Sequence, residues 1–218
     1  MRVVAIDGPA GAGKSTVARR VAAVTGLPFL DTGAMYRCVA LRAVRSGVRA
    51  DDTDAVAAIA RTVNISVRDG VTVLDGEDVS ADIRTPEVNS VVSVIATNSQ
   101  VRDVMREAQR KWARSVGGGV VEGRDIGTVV FPDATVKVFL TASPEVRAAR
   151  RVAESGGDVE DVARSIAERD RLDSTRADSP LRPADGAVTV DSSGRPVDDV
   201  VAEIVGLLER TVGNGADV

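Results

Sequence analysis

The segment Gly8-Pro9-Ala10-Gly11-Ala12-Gly13-Lys14-Ser15-Thr16 carries the spacing G-x-x-x-x-G-K-S/T. Its glycines let consecutive backbone N–H groups converge on an anion without interference from Cβ atoms. Lys14 can reach the β and γ phosphates of a nucleoside triphosphate, and the Ser15 hydroxyl is the kind of ligand Mg2+ takes. A turn that is merely rich in Gly and Ala would have the same composition. Such a turn does not require a strand before it and a helix after it, and both are expected here. Residues 8–16 are therefore read as an ATP-binding loop, with Lys14 catalytic and Ser15 the metal ligand. The loop does not say which molecule receives a phosphoryl group, or whether any does.

Three classes share such a loop: nucleotide-dependent switches, motor-type ATPases and small-molecule kinases. A guanine-nucleotide switch would carry Asn-Lys-x-Asp, and no such tetrapeptide occurs. A kinase for a phosphorylated acceptor needs further cations, to hold the acceptor's phosphate and to cover the charge that spreads over the transferring group. Arginine suits both tasks, being planar and always charged. Thr32, Tyr36 and Arg37 in DTGAMYR follow the second expected strand. Arg124 and Asp125 in EGRD stand at the C-terminal end of a buried strand, where ligands of open α/β sheets sit. Arg169, Asp173 and Arg176 in ERDRLDSTR recur at i, i+4 and i+7, on one helical face. Each has a plain structural alternative. Thr32 alone reads as a helix N-cap. Arg124–Asp125 alone can be a structural pair, and the face of Arg169, Asp173 and Arg176 a solvated salt-bridge ladder. The functional reading gains its weight from their sharing a chain with the phosphate loop.

The elements that must position these residues are visible as changes of period. Arg2 to Ile6 is a short run rich in β-branched residues, ended by Asp7-Gly8-Pro9, as suits a buried strand feeding a loop. Val17, Val21 and Val24 then recur at helical spacing until Gly26-Leu27-Pro28. Helices are expected over Thr32–Ser46 and Asp51–Thr62. The segment NISVRDGVTVLDGEDVS alternates and holds Asp69-Gly70 and Asp75-Gly76, both hairpin-turn pairs, so a small antiparallel unit is expected inside the α/β pattern. Two helices follow; in the second, Val101, Met105, Ala108 and Trp112 share a face, with Trp112 read as core. Gly117-Gly118-Gly119 breaks that helix ahead of the strand VVEG. TVKVFL, from Thr135 to Leu140, is another strand. Ser143-Pro144-Glu145 then opens a helix with cap, Pro and acid in order. Helical segments are expected to about Arg176, AVTV from Ala187 as the last strand, a helix marked by Val197, Val201, Ile204 and Leu208, and a frayed tail GNGADV. The order implies a largely parallel sheet with helices on both faces.

Composition narrows the field. Net charge is −4 and aromatic residues are 2%, so neither a broad basic footprint nor stacking platforms for nucleic acid are expected. There is no histidine, which removes Ser-His-Asp chemistry and His-ligated metals. The single cysteine, Cys38, sits among apolar neighbours and is read as a buried structural thiol in a reducing compartment. MRVVAI is too short for the apolar core of a signal peptide, and no stretch is long and apolar enough to cross a membrane. A cytoplasmic protein without membrane or nucleic-acid partners is expected.

Taken together, GPAGAGKST, LDTGAMYR, EDVSADIRTPEV, EGRDIGTVVFPDATVKVFLTAS and ERDRLDSTR resemble bacterial cytidylate kinases, a family of P-loop nucleoside monophosphate kinases. The likeness runs from about Val4 to Val201. It implies transfer of the ATP γ-phosphoryl group to CMP or dCMP with Mg2+, by a monomer. It implies one P-loop kinase domain over residues 1–218, with a five-stranded parallel sheet flanked by helices. It further implies an inserted acceptor-binding subdomain near 33–101, containing the small antiparallel sheet, and a short helical lid near 147–168. Carried over residue by residue, Thr32, Tyr36 and Arg37 resemble the contacts to acceptor phosphate and ribose. Ser93 and Arg102 match positions that face cytosine, and Asp125 a cytosine ligand. Arg124 resembles a phosphate ligand, Arg169 and Asp173 match ribose-side positions, and Arg176 a phosphate clamp. Cytosine presents an amino donor beside acceptors, which a carboxylate complements; uracil would present an acceptor to the same carboxylate and be rejected. Leu172 departs from a pattern in which Arg is frequent, leaving one cation fewer near the acceptor. The transfer needs no general base, so Lys14, Arg124, Arg169 and Arg176 act by position and charge. Arg147, Arg150 and Arg151 fall on the expected lid helix, where they either fold over ATP or form an exposed charged face. Other small-molecule kinases, including shikimate kinases with a comparable Gly-Gly-Gly, and adenylate or guanylate kinases are the alternatives within the class.

Overall fold

The computed structural model describes residues 1–68 and 70–213. Strand β1 (Arg2–Asp7) is buried at five successive positions, as a strand covered on both faces must be. Helix α1 (Lys14–Thr25) follows the Gly-rich loop and ends at Gly26 in the left-handed conformation. Next come β2 (Phe29–Asp31), α2 (Thr32–Arg45) and α3 (Thr53–Thr62). The alternating segment forms β3 (Ile65–Arg68), β4 (Val71–Leu74) and β5 (Glu77–Asp78), and a short 3-10 turn covers Asp82–Arg84. Helices α4 (Pro86–Ile95) and α5 (Ser99–Val116) lead to β6 (Gly118–Gly123). A π-helical turn, Ile126–Val130, separates β6 from β7 (Val136–Thr141). Helices α6 (Pro144–Ser155) and α7 (Val159–Thr175), strand β8 (Val188–Asp191) and α8 (Val197–Gly213) complete the chain.

The large sheet has the order β2-β6-β1-β7-β8, all parallel, with β1 between β6 and β7. Asp7 lies level with Gly123 on one side and Phe139 on the other, so the loop leaves from the middle of the sheet. The small sheet is antiparallel, β3-β4-β5. Of its two expected turns, Asp75-Gly76 has positive φ at both residues, which is what a tight hairpin turn requires; Asp69 of the other lies outside the described residues.

Cα packing divides the chain into two units. One is Met1–Phe29 with the chain from Ala113 onward; the other is Leu30–Trp112. In the first, Val17 and Val21 of α1 and Val201, Ile204 and Leu208 of α8 share an apolar core with Val4, Ile6, Val138 and Leu140 of the sheet. In the second, Cys38 and Val39 of α2 and Val88, Val92 and Ile95 of α4 are buried, and burial pushes the Cys38 thiol up to about 12. The structural reading of that cysteine holds.

Several expectations are corrected. Thr32 is not an N-cap: Asp31 is, its Oδ1 accepting the Ala34 N–H at 3.0 Å, and Thr32 is the first, buried, helical residue. Asp52 likewise caps a helix that begins at Thr53 rather than Asp51. On α5 the buried line is Val101, Met105, Gln109 and Ala113, with Arg102 beside it, and Trp112 is half-buried. The apolar positions alone placed that face about one residue off, because two polar side chains belong to it. Strands β7 and β8 each start and end one residue later than expected. Residues 214–218 of the tail GNGADV lie outside the described residues.

Gly117, with φ of +80°, ends α5, and Gly118 follows it for a steric reason. Gly118 has φ of +122°, and a Cβ there would stand 2.1 Å from the Arg2 carbonyl oxygen, so a side chain cannot enter β6 at this point. Among the described residues no helix is long and apolar enough to cross a membrane.

Candidate active site

The phosphate loop begins where β1 stops. A Cβ on Gly8 would lie 2.0 Å from the Leu140 carbonyl oxygen of β7, and its φ is +151°. No other residue lets the loop turn this close to the sheet. Gly13 holds the N-cap position of α1 and supplies no side-chain capping bond to it. Such a helix start is an anion site.

Lys14 is buried, and its Nζ donates to the Pro9 carbonyl at 2.7 Å. Burial holds its pKa well below the usual lysine range. The positive charges of Arg124 and Arg169 add to that effect, against Glu122 and Asp173. Three cations, from α1, the residue just past β6 and α7, are thus close enough to oppose one another, a costly arrangement that suits a polyanionic ligand. The Arg124 Nε donates to Asp173 Oδ2 at 2.8 Å, and Arg176 Nη1 donates to Asp173 Oδ1 at 3.2 Å. Burial pushes the Asp173 carboxyl up, but Arg124, Arg176 and Arg169 outweigh it and hold the group below the usual range. Asp173 therefore fixes two guanidiniums by one carboxylate. Asp173 and Arg176 are 6% and 8% exposed, so the solvated-ladder alternative is overturned for both. Arg176 has also left the helix, standing just past Thr175 in extended backbone with Nε on the Ser179 carbonyl at 2.8 Å.

Four residues that pattern reading missed support this cluster. Glu122 is buried at the end of β6, and its Oε2 accepts the Ser15 hydroxyl at 3.0 Å. A hydroxyl and a carboxylate at this distance form an all-oxygen set of the hardness Mg2+ prefers. Among the described residues there is no group of three or more His, Cys, Asp or Glu fit for a metal. Asp170 accepts the Ala10 N–H at 2.9 Å and pairs with Arg147, whose Nη1 also donates to the Ala10 carbonyl at 3.0 Å. Arg150 donates to the Ala12 carbonyl at 3.3 Å and to Ser192, whose hydroxyl donates to that same carbonyl at 3.0 Å. Arg147 and Arg150 thus face the loop, and only Arg151, paired with Glu154, matches the exposed charged face. Asp7 accepts the N–H groups of Ile126 and Gly127, at 2.8 and 2.7 Å. Asp7 adjoins a motif that was recognised, and Glu122 and Asp170 lie inside two others; Ser192 had no such signal.

The other candidates belong to the second unit. Tyr36 and Arg102 come together there, the guanidinium 5.7 Å from the ring centroid, with Arg102 1% exposed and its Nη1 on the Ala96 carbonyl. Arg37 donates to the Ile83 carbonyl at 3.1 Å and to Asn89. Thr32 is buried at the start of α2, and Ser93 is half-buried on α4.

The family model for cytidylate kinase matches residues 4–210. A cytidylate kinase from Pelotomaculum thermopropionicum is 49% identical over 212 residues, which is 93% of this chain and 93% of the relative. One from Nocardia farcinica is 46% identical over 223 residues, 98% and 96% of the two chains. Among solved structures, a gluconokinase from Sinorhizobium meliloti has a TM-score of 0.51 at 18% identity, covering 98% of this chain and 94% of its own. A shikimate kinase from Acinetobacter baumannii, in complex with shikimate, has a TM-score of 0.50 at 16% identity with the same coverages. At such identities these two speak for the fold alone.

Proposed function

The chain belongs to the cytidylate kinase family, and we propose how its residues divide the work of that family's reaction. The reaction is transfer of the γ-phosphoryl group of ATP to CMP or dCMP. Residues 8–16 hold the ATP phosphates on backbone N–H groups and the start of α1. Lys14 covers charge on the β and γ phosphates. Ser15, beside Glu122, holds Mg2+, which when bound with ATP neutralises phosphate charge. Arg124, Arg169 and Arg176 cover the charge of the transferring group and the acceptor phosphate, with Asp173 fixing Arg124 and Arg176 and contacting ribose. Asp125 accepts the cytosine amino group. In the second unit, Ser93 and Arg102 contact the base, and Thr32, Tyr36 and Arg37 the acceptor's phosphate and ribose. We assign acceptor binding to about residues 33–101 and the lid to about 147–168. The buried Cys38 suits the cytoplasm, and a monomer is proposed.

One observation carries this division of labour: Lys14, Arg124 and Arg169 are packed near enough to depress the lysine, while Asp173 and Glu122 share the same space. A buried lysine held down by two neighbouring arginines at a phosphate loop is an arrangement that a polyanionic ligand relieves.

The test is ATP-to-ADP turnover with Mg2+ against CMP, dCMP, UMP, AMP, GMP, shikimate and water. Fast turnover is expected with CMP and dCMP. Faster use of UMP than of CMP would overturn the assignment of Asp125, and turnover with water alone would overturn the kinase reading.

A further inference from the structure

Asp7 is the last residue of β1, 3% exposed, and held between two neighbouring strands. Its oxygens accept the N–H groups of Ile126 and Gly127, residues 119 and 120 positions away in sequence. Those amides open the π-helical turn Ile126–Val130, so Asp7 caps this turn from another strand. The residue in the N-cap position is Asp125. Aspartate is among the residues that most readily cap their own helix, yet the Asp125 side chain makes no capping bond. If it did cap, its carboxylate would be spent on the turn's amides. Asp7 performs that task instead, and its negative charge opposes any inward swing of Asp125.

The residue type fits the task closely. A carboxylate offers an acceptor to each of two successive N–H groups. An amide offers one acceptor, and its NH2 would meet the second N–H donor to donor. The arrangement is also expensive. Burial pushes the Asp7 carboxyl up to about 6 and Asp125 adds to this, against the two N–H bonds and Lys14. A fold that needed only a filled strand end would be better served by an apolar residue.

We infer that Asp7 is a positioning residue for recognition of the acceptor base: by capping the 126–130 turn in place of Asp125, it keeps the Asp125 carboxylate directed at the cytosine edge. This rests on the reading of Asp125 as the base contact. Because Asp7 also adjoins Gly8, one side chain ties the start of the donor loop to the turn that reads the acceptor.

The experiment compares kcat/KM for CMP and UMP in the full-length enzyme, Asp7→Asn, Asp125→Asn and the double variant, with KM for ATP measured alongside. Asp7→Asn is expected to lower the CMP-to-UMP ratio about ten-fold, as loss of a ligand-orienting partner does elsewhere. The ATP KM should stay within about two-fold, and in the double variant Asp7→Asn should add less than about two-fold to the effect of Asp125→Asn, since both act through one carboxylate. Equal losses for CMP and UMP, or losses that multiply in the double variant, overturn the inference. An unchanged ratio in Asp125→Asn alone removes the base contact itself, a different failure visible in a different variant. If Asp7→Asn does not fold, Asp7→Ser, which keeps one acceptor, takes its place. Failure of both to fold makes Asp7 structural and overturns the inference.

Discussion

At the scale of single residues, the site is a set of buried charges held in place by one another. Lys14 is the clearest case. Its ammonium is buried next to Arg124 and Arg169, so in folding terms it costs more than it returns. Lys14→Ala should therefore leave the melting temperature unchanged or raised, while kcat with saturating ATP and CMP falls by about 10²–10³, the usual loss on removing one preorganised electrostatic partner. Activity within about ten-fold of the parent would remove Lys14 from the transferring group. The legibility of the site follows the same division. Lys14, Ser15, Arg124 and Asp125 were readable because each lies in a short motif whose chemistry is local. Glu122, Asp7 and Asp170 were not, because their partners are 107 to 160 residues away. Such a partner is set by which strands lie side by side. A motif does not contain that information.

At the scale of elements, the loop is shaped by close backbone approaches that a sequence shows only as glycines. The β1–loop junction passes so near β7 that Gly8→Ala forces the new Cβ against the Leu140 carbonyl. Either the loop or the β1–β7 pairing must shift. A loss of about 2 kcal/mol or more is expected, in the range of overpacking and of strain at positive φ, together with weaker binding of an ATP analogue. Denaturation and a binding titration read both quantities; an unchanged pair would mean the loop departs from the sheet by another path. The helices α6 and α7 teach a related lesson. Their arginines read as an exposed face or a lid. Arg147 and Arg150 reach the Ala10 and Ala12 carbonyls, which removes the exposed-face reading for these two, and the direction of a loop's carbonyls is fixed by its φ and ψ, which residue names do not carry. Element existence and type were legible, since the periods of α1, α8 and the small antiparallel sheet are strong. The 126–130 turn was not, because no local pattern distinguishes a turn capped by a remote carboxylate from an ordinary loop.

At the scale of the whole molecule, two buried carboxylates give stability opposite dependences on pH. Asp173 is held below its ordinary value by Arg124, Arg176 and Arg169, against its burial. It contributes stability that is present above the unfolded value of 3.8 and is lost as pH falls through the folded one. Asp7 runs the other way. Burial raises it from 3.8 to about 6, with Asp125 adding and Gly127, Ile126 and Lys14 opposing. The native state therefore binds a proton that the unfolded chain has lost. That contribution is complete below pH 3.8 and vanishes as pH rises through about 6. Between pH 5 and pH 7 the two separate, because Asp173 stays ionised in both states while Asp7 titrates. The wild type should then lose about 1 kcal/mol on going from pH 5 to pH 7 relative to Asp7→Asn, whose amide does not titrate. Urea denaturation of the two proteins at each pH measures the difference directly. A gap of constant size would mean that Asp7 is not the buried titrating group. The N–H groups of Ile126 and Gly127 would then hold the carboxylate ionised against its burial. The same proton bears on function: protonating Asp7 removes one of its two acceptor sites, so the CMP-to-UMP preference should weaken below about pH 6 together with the change in stability.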